Sequence, residues 1–521
     1  MPFSSQSGKS YISALNLQAK TVLDIGAGSG TYRKLFPNLG THWTAVEVWD
    51  AYVEKYSLGS LYDEVIVSDI RSLELTKEFD VCFVGDILEH MTAEEAAGVL
   101  KNLRTHCKTI VVSIPLGHYP QDEYDGNPYE KHVVDNWTHE QFISVFGTPS
   151  EYCIDNEIGV YVYKKLKIAV YAISKNESMF VERFCKSSEA ADMILIADTG
   201  STDNTVELAK ANGAEVINIH ISPWRFDKAR DAALAMIPKD YDICIALDLD
   251  EIMEPGWRQE IERVWKAETT RLRYKFDWGC GISFYYEKIH HRNGYHWHHP
   301  VHEYPRADGR INEVYAYTDM LLVSHHPDPT KSRGQYLDLL KLAVTEDPYC
   351  PRNAFYYARE LTFYSKWIDA VVALNKYLDN PQATWPNERC YAMRLLGKAY
   401  DSLGDKNTAL VWYERATIVA PNTREPWHDL AMAQYMKSNW AECLQAAETG
   451  LAIKTKELVY TCDPRVWEEP LPDLASIAAW NLGQTEKALD YCRIAAKIAP
   501  SDVRIANNLQ MMQQDALPQA A

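Results

Sequence analysis

Two aspartates flank a leucine at Asp248-Leu249-Asp250, with Glu251 next, where the apolar run Ile243-Cys244-Ile245-Ala246-Leu247 ends. Paired carboxylates at a strand end suit a hard divalent cation, which prefers oxygen ligands and often bridges phosphates. Alone, Asp-x-Asp is equally an ordinary solvated loop. Two earlier stretches end in the same way. Ile168-Ala169-Val170-Tyr171-Ala172-Ile173 runs into Ser174-Lys175-Asn176-Glu177, and Met193-Ile194-Leu195-Ile196-Ala197 runs into Asp198-Thr199-Gly200-Ser201-Thr202-Asp203. Ligands of open α/β sheets sit beyond the carboxyl ends of the strands, so three such ends describe one rim.

A second set lies nearer the start. The strand Thr21-Val22-Leu23-Asp24-Ile25 opens into Gly26-Ala27-Gly28-Ser29-Gly30, glycines that permit a tight turn and close backbone approach to a ligand. The spacing is not the Gly-x-Gly-x-x-Gly usual for a nicotinamide cofactor. Further strands end in acids: Trp43–Val46 in Glu47, placed for ribose hydroxyls, then Val65-Ile66-Val67-Ser68 in Asp69. Phe79-Asp80-Val81-Cys82-Phe83-Val84-Gly85 ends in Asp86, with Leu88-Glu89-His90 close behind.

The central stretches, together with Trp224-Arg225-Phe226-Asp227-Lys228-Ala229-Arg230-Asp231, resemble the nucleotide-sugar-binding half of family 2 glycosyltransferases of GT-A fold. The resemblance implies that Asp198 contacts a nucleotide base and that Arg230 lies near the pyrophosphate. It implies that Asp248 and Asp250 hold Mn²⁺ or Mg²⁺ against the diphosphate, which the metal stabilises as it leaves. Ser174, Asn176, Glu177, Gly200, Ser201 and Asp203 complete the expected nucleotide-sugar set. The first segment resembles a class I S-adenosylmethionine-dependent methyltransferase over most of residues 15–163. That resemblance implies a Rossmann-like domain with Asp24, Gly26, Gly28 and Gly30 around the methionine part, Glu47 on the ribose and Asp69 near the adenine. Asp86, with Glu89 and His90, then stands beside the methyl-transfer site.

Methyl transfer works largely by proximity and alignment, and a hydroxyl acceptor also benefits from a base. His118 and His132 lie in a polar, aromatic segment placed to cap an acceptor; His132 is the candidate base retained, against the ordinary reading of a solvated loop histidine.

Half of the sixteen histidines fall between His290 and His326. No cysteine pattern or standard zinc spacing accompanies them. In folds of the resembled type a late histidine completes the metal shell, which points to His325 or His326, with His302 as the runner-up. Glu303, in Pro300-Val301-His302-Glu303, is the candidate base for an inverting transfer, alongside Asp250 in the catalytic set; its plain alternative is a surface ion pair.

After about residue 336 the pattern is helical and repeated. Turn residues Ser365, Gly404, Ser438 and Gly483 are each followed five residues later by Ala370, Ala409, Cys443 and Ala488. The spacing of Gly404 and Ser438 matches the tetratricopeptide period. Residues 454–473 interrupt it with Pro464, Pro470 and Pro472. Stacked helix pairs bury a continuous core and leave a concave face, suited to gripping a peptide or protein acceptor, or simply to stiffening or homodimer formation.

These readings predict a multidomain α/β plus all-α chain: a methyltransferase-like domain over 1–164, a GT-A glycosyltransferase domain over 165–335 and a helical solenoid over 336–521. Composition agrees with globular domains, at 46% hydrophobic and 12% aromatic residues in 521. A formal charge of −19 argues against a generic nucleic-acid surface without excluding a local one. Residues 1–10 lack the apolar core of a signal peptide, and no apolar run has membrane-spanning length. Eleven scattered cysteines fit reduced thiols, so a cytoplasmic protein is expected. The leading expectation is a bifunctional enzyme that transfers a sugar from a nucleotide-diphosphate donor to a glycan, protein or other acceptor. Its first domain would methylate that sugar or acceptor with S-adenosylmethionine. Two alternatives stand beside it: a transferase with an inactive methyltransferase-like scaffold and partner-binding repeats, and a modifier of nucleic-acid bases.

Overall fold

Val22 to Ile25 are buried on both faces, as strands covered on two sides by helices must be. They form β1 (Thr21–Ile25) in a computed structural model that describes residues 6–266, 268–328 and 334–515. The sequence after Asp515, which reads as a loose tail, lies outside the described residues. The strands that follow are β2 (His42–Glu47), β3 (Glu64–Val67), β4 (Phe79–Gly85), β5 (Cys107–Pro115), β6 (Glu151–Asp155) and β7 (Ile158–Lys164). They make one sheet in the order β3-β2-β1-β4-β5-β7-β6. The first five run parallel and β7 is antiparallel to β5. Strand order reverses between β1 and β4, so the crevice beyond their carboxyl ends is the place such a sheet offers a ligand. Each face carries its own core, one around Leu103 and Phe142, the other around Trp43 and Phe83. The helix Ala93–His106 starts on a capping box between Thr92 and Glu95, which satisfies two otherwise orphaned backbone donors.

The second sheet comprises β8 (Ile168–Ser174), β9 (Met193–Asp198), β10 (Glu215–Asn218), β11 (Ile243–Ala246), β12 (Glu251–Met253), β13 (Arg271–Gly279), β14 (Ile282–His291) and β17 (Tyr315–His325). The ribbon of β15 (Tyr295–His298) and β16 (Tyr304–Ala307) stands apart from it. The order is β10-β9-β8-β11-β14-β13-β17-β12, parallel from β10 to β11 and then mixed. The stretch from Trp257 to Lys266, helical in its sequence pattern, forms a helix over Trp257–Val264, and the apolar run Met320–Val323 lies within β17.

Ten α-helices follow among the described residues. The four turn residues read from the sequence all have left-handed backbones: Ser365 at φ 54°, Gly404 at 87°, Ser438 at 57° and Gly483 at 73°. That conformation ends a helix, and glycine adopts it without steric cost. Their partners Ala370, Ala409, Cys443 and Ala488 are buried where the next helix packs back.

By compactness the chain divides into two units, Met1–Lys167 with Arg258–Thr269, and Ile168–Trp257 with Thr270–Ala521. The second sheet and the helices thus share one unit. Their joint core holds Val301, Phe355, Tyr377 and Leu396, with Trp224 and Phe226 packed against it.

Candidate functional site

Gly26, Gly28 and Gly30 follow β1 with φ of 64°, 49° and 76°, a left-handed run that side chains resist. A Cβ on Gly26 would stand 2.0 Å from Ile87 Cδ1, so the loop passes tightly over the end of β4. Glu47, at the end of β2, is buried and accepts from Gly28 N at 2.9 Å and Trp49 N at 3.0 Å. Burial raises its pKa against those two hydrogen bonds. Asp24 accepts from the Tyr62 hydroxyl at 2.6 Å through Oδ2, while Oδ1 has no hydrogen-bond partner. Burial pushes this carboxyl up to about 7.

At the end of β4, Asp86 has a left-handed backbone (φ 55°) and accepts from the Ser113 hydroxyl at 3.0 Å. Glu89 is buried with Oε2 unpartnered, and burial holds its pKa well above the usual carboxylate range. The His132 ring comes to it from a distant loop and meets the His90 ring at 4.9 Å. Burial lowers the pKa of both imidazoles. Asp69 lies differently: Arg71 grips it through Nε at 3.0 Å and Nη2 at 2.6 Å, holding its pKa down.

In the second unit the loops after β8 and β9 are knitted together. Asp198 takes the hydroxyls of Ser174 (3.0 Å) and Ser201 (2.5 Å) on one oxygen, and the Gly200 and Ser201 amides (both 2.9 Å) on the other. Burial alone would raise its pKa; these donors bring it below the ordinary value. Asn176 accepts from Thr202 N at 2.7 Å, and its own N–H donates to Ser201 Oγ at 2.9 Å. Asp203 accepts from the Thr205 hydroxyl (2.5 Å) and from Ser178 N (3.2 Å); Glu177 N donates to Thr205 Oγ1 at 2.8 Å. The expected nucleotide-sugar residues of these two loops therefore form one hydrogen-bonded rim.

Arg230 meets Asp248, in the acids after β11, and Glu303. Its side chain is only 3% exposed, and it meets Asp248 Oδ1 and Glu303 Oε1 at 2.5 Å each, over the face of Trp297. Its Nη1 has no hydrogen-bond partner among the described residues. Lys288, equally buried, reaches Glu251 at 2.9 Å and Asp248 Oδ2 at 3.3 Å. Burial would depress that ammonium, but Asp248 and Glu251 outweigh it. The same two cations hold the Asp248 carboxyl well below its usual range despite the opposing effect of burial.

Asp250 faces His325, Oδ2 to Nε2, at 3.4 Å, because Glu251 and His325 are partners in the β12–β17 register. The His325 Nδ1 has no hydrogen-bond partner among the described residues. Burial would lower the His325 pKa, but Asp250 raises it overall. His326 meets Asp250 through the backbone, N to O, at 2.7 Å. The His302 ring instead stacks on Tyr356 at 4.2 Å, and its carbonyl accepts from Arg352 at 3.1 Å. Of the three histidines expected at a metal, one has its ring against the acids. Glu303 is a buried ion pair of Arg230 rather than a surface one.

Lys288 and Trp297 were not read from the sequence. In β14 Lys288 shares the parity of Tyr286 and His290, and a lysine on the inward side of a strand was the available signal. The contact of the helices with the site was also missed: Arg352, Tyr356 and Asn353 hold His302 and His299, next to Glu303.

The methyltransferase domain family matches residues 23–109. An uncharacterized glycosyltransferase of Rickettsia bellii is 31% identical over 103 residues, 20% of this chain and 34% of that protein. One from Rickettsia prowazekii is 33% identical over 103 residues, again 34% of its length. The chain spans about a third of the length of these curated relatives. Among solved structures, Pseudomonas aeruginosa pilF is 14% identical over 34% of this chain and 72% of its own, with a TM-score of 0.28. A thermophilic TPR protein of Thermus thermophilus is 16% identical over 35% of this chain and 92% of its own, with a TM-score of 0.25. A TM-score this low assigns neither ligand nor partner. No helix among the described residues is long and apolar enough to cross a membrane. Residues 23–109 are thus similar to a methyltransferase domain, and a second α/β sheet and a helical region follow them.

Proposed function

We propose that the second unit transfers a glycosyl group from a nucleoside-diphosphate sugar, and that the first unit methylates that sugar or its acceptor from S-adenosylmethionine. The observation that carries the transferase reading is Arg230. A guanidinium buried between two carboxylates, with Nη1 left unpartnered, is a donor waiting for an oxygen, and phosphate oxygens match its fork. Lys288 adds a second fixed cation to the same rim.

A divalent cation fits Asp250, in the turn before β12, and His325, at the end of β17, a carboxylate oxygen and an imidazole nitrogen at 3.4 Å. That mixed oxygen and nitrogen set suits Mn²⁺ better than Mg²⁺. Asp248 is already matched by Arg230 and Lys288 and serves to orient them. When bound, the metal supplies charge neutralisation of the leaving diphosphate. Ser174, Asp198 and Ser201 shape the base and ribose end of the cleft. Glu303 is held by Arg230, so its acceptance of a proton from an acceptor hydroxyl depends on a diphosphate drawing the guanidinium away. The helices whose Arg352 and Tyr356 brace His302 belong to the region read as a grip for a peptide or protein acceptor.

The test is a donor screen by mass spectrometry with the full chain. Donor consumption requiring Mn²⁺ or Mg²⁺, and lost in the Asp248→Ala/Asp250→Ala double variant, is expected. Metal-dependent transfer that survives that double change would contradict the site.

A further inference from the structure

Glu89, His90 and His132 converge in the first unit, with one donor atom of each within 4.8 Å of the other two. Three features make this more than a chance cluster. Glu89 is 1% exposed and its Oε2 has no hydrogen-bond partner among the described residues, a costly state for a carboxyl unless something comes to it. Each imidazole presents Nδ1 to a backbone carbonyl, His90 to Lys131 O at 3.1 Å and His132 to Tyr119 O at 2.6 Å. A carbonyl only accepts, so Nδ1 carries the proton and Nε2 keeps its lone pair, which is how metal-binding histidines are held. The loop is also clamped before any ligand arrives: Val133 N and Val134 N donate to Glu89 O at 2.8 and 3.0 Å, and His132 N to Gln121 O at 3.0 Å.

We propose that Glu89, His90 and His132 form a transition-metal site of the two-histidine, one-carboxylate type, filled by Zn²⁺, whose open position takes an oxygen of the methyl acceptor. Three protein ligands of this kind leave a coordination position for water or substrate. His132 is then a ligand and not a base, and the acceptor is a hydroxyl compound. A hydroxyl on such a cation loses its proton near neutral pH. In the transfer, the oxygen–carbon bond forms and the sulfur–carbon bond of S-adenosylmethionine breaks. The sulfonium becomes a neutral thioether and the hydroxyl proton leaves to water. This use of the site rests on the methyl-donor reading of the first unit; the binding of the cation does not.

The test uses the full chain in an Asp250→Ala background, which removes the acid proposed to hold metal in the second unit. The chelator-stripped protein is titrated with Zn²⁺, and separately with Co²⁺ as a visible probe. One equivalent of zinc retained through gel filtration and a visible cobalt band are expected. His90→Ala and His132→Ala should each weaken binding by more than the roughly 10–100-fold that loss of an outer partner costs. Both histidines are partly exposed, so these variants keep the fold, which circular dichroism checks. Absence of zinc binding in the Asp250→Ala chain, or binding unchanged in the His90→Ala/His132→Ala variant, would overturn the site. Thermal shift with S-adenosylmethionine on the same samples separates the two readings: a shift without metal binding rejects the metal site alone, and metal binding without a shift rejects the methyl donor alone.

Discussion

Both sheets set acids at the carboxyl ends of parallel strands, yet the two rims are electrostatically opposite. In the first unit, Asp24 and Glu89 are buried with an oxygen lacking a hydrogen-bond partner, and burial raises both pKa values. In the second, Asp248, Glu251 and Glu303 are matched to Arg230 and Lys288, and Asp250 to His325. Buried acids with an oxygen left unbonded suit a cationic ligand such as a sulfonium or a metal ion. A rim with fixed cations, one still holding a free donor, suits a polyanion such as a diphosphate. An acid at a strand end therefore does not state the ligand's charge; the partner that the fold brings to it does.

Breaking the second rim should cost most. Arg230→Met leaves Asp248 and Glu303 without their shared cation, and loss of one member of a buried pair costs about 3–5 kcal/mol. Hydrogen exchange of β8 and β11 amides should show that loss, with Arg230→Lys recovering part of it. In the first rim the changes are smaller. Glu47→Gln places an amide against the Gly28 and Trp49 N–H groups, a loss of about 1–3 kcal/mol in loop stability. Isothermal titration should show weaker S-adenosylmethionine binding in that variant.

Asp24 sharpens the comparison through pH. Its ordinary value is 3.8 and burial pushes it up to about 7, so between these values the folded state binds a proton that the unfolded state does not. Stability of the first unit should fall as pH rises from about 4 to about 7, and Asp24→Asn should flatten that slope in exchange-detected unfolding. The smallest effect is expected for Tyr62→Phe, which removes the one hydrogen bond to Asp24 Oδ2 for about 1 kcal/mol and should move the slope upward in pH.

Local signals in the sequence carried well into three dimensions. The glycines after β1 needed left-handed backbones, and they have them. Ser365, Gly404, Ser438 and Gly483 were legible because a helix stop and a buried small residue five positions on are both local requirements. What escaped was pairing over long range. Nothing near Asp248 in the chain points to Lys288, and nothing near Glu89 points to His132, because both meetings depend on strand order and loop return. The helical region reads as a separate solenoid from residue 336, yet Arg352 and Tyr356 pack on His302, next to Glu303. Arg258–Thr269, read within the second segment, groups with the first unit.

The contrast between the rims is tested most directly by one cross-comparison of ligand-induced thermal shifts in the full chain. The ligands are S-adenosylmethionine and a panel of nucleoside diphosphates with Mn²⁺. The account predicts that Glu47→Gln diminishes the first shift and leaves the second, while Asp248→Ala/Asp250→Ala abolishes the second and leaves the first. A diphosphate shift that survives loss of both aspartates, or one that vanishes with Glu47, would contradict it.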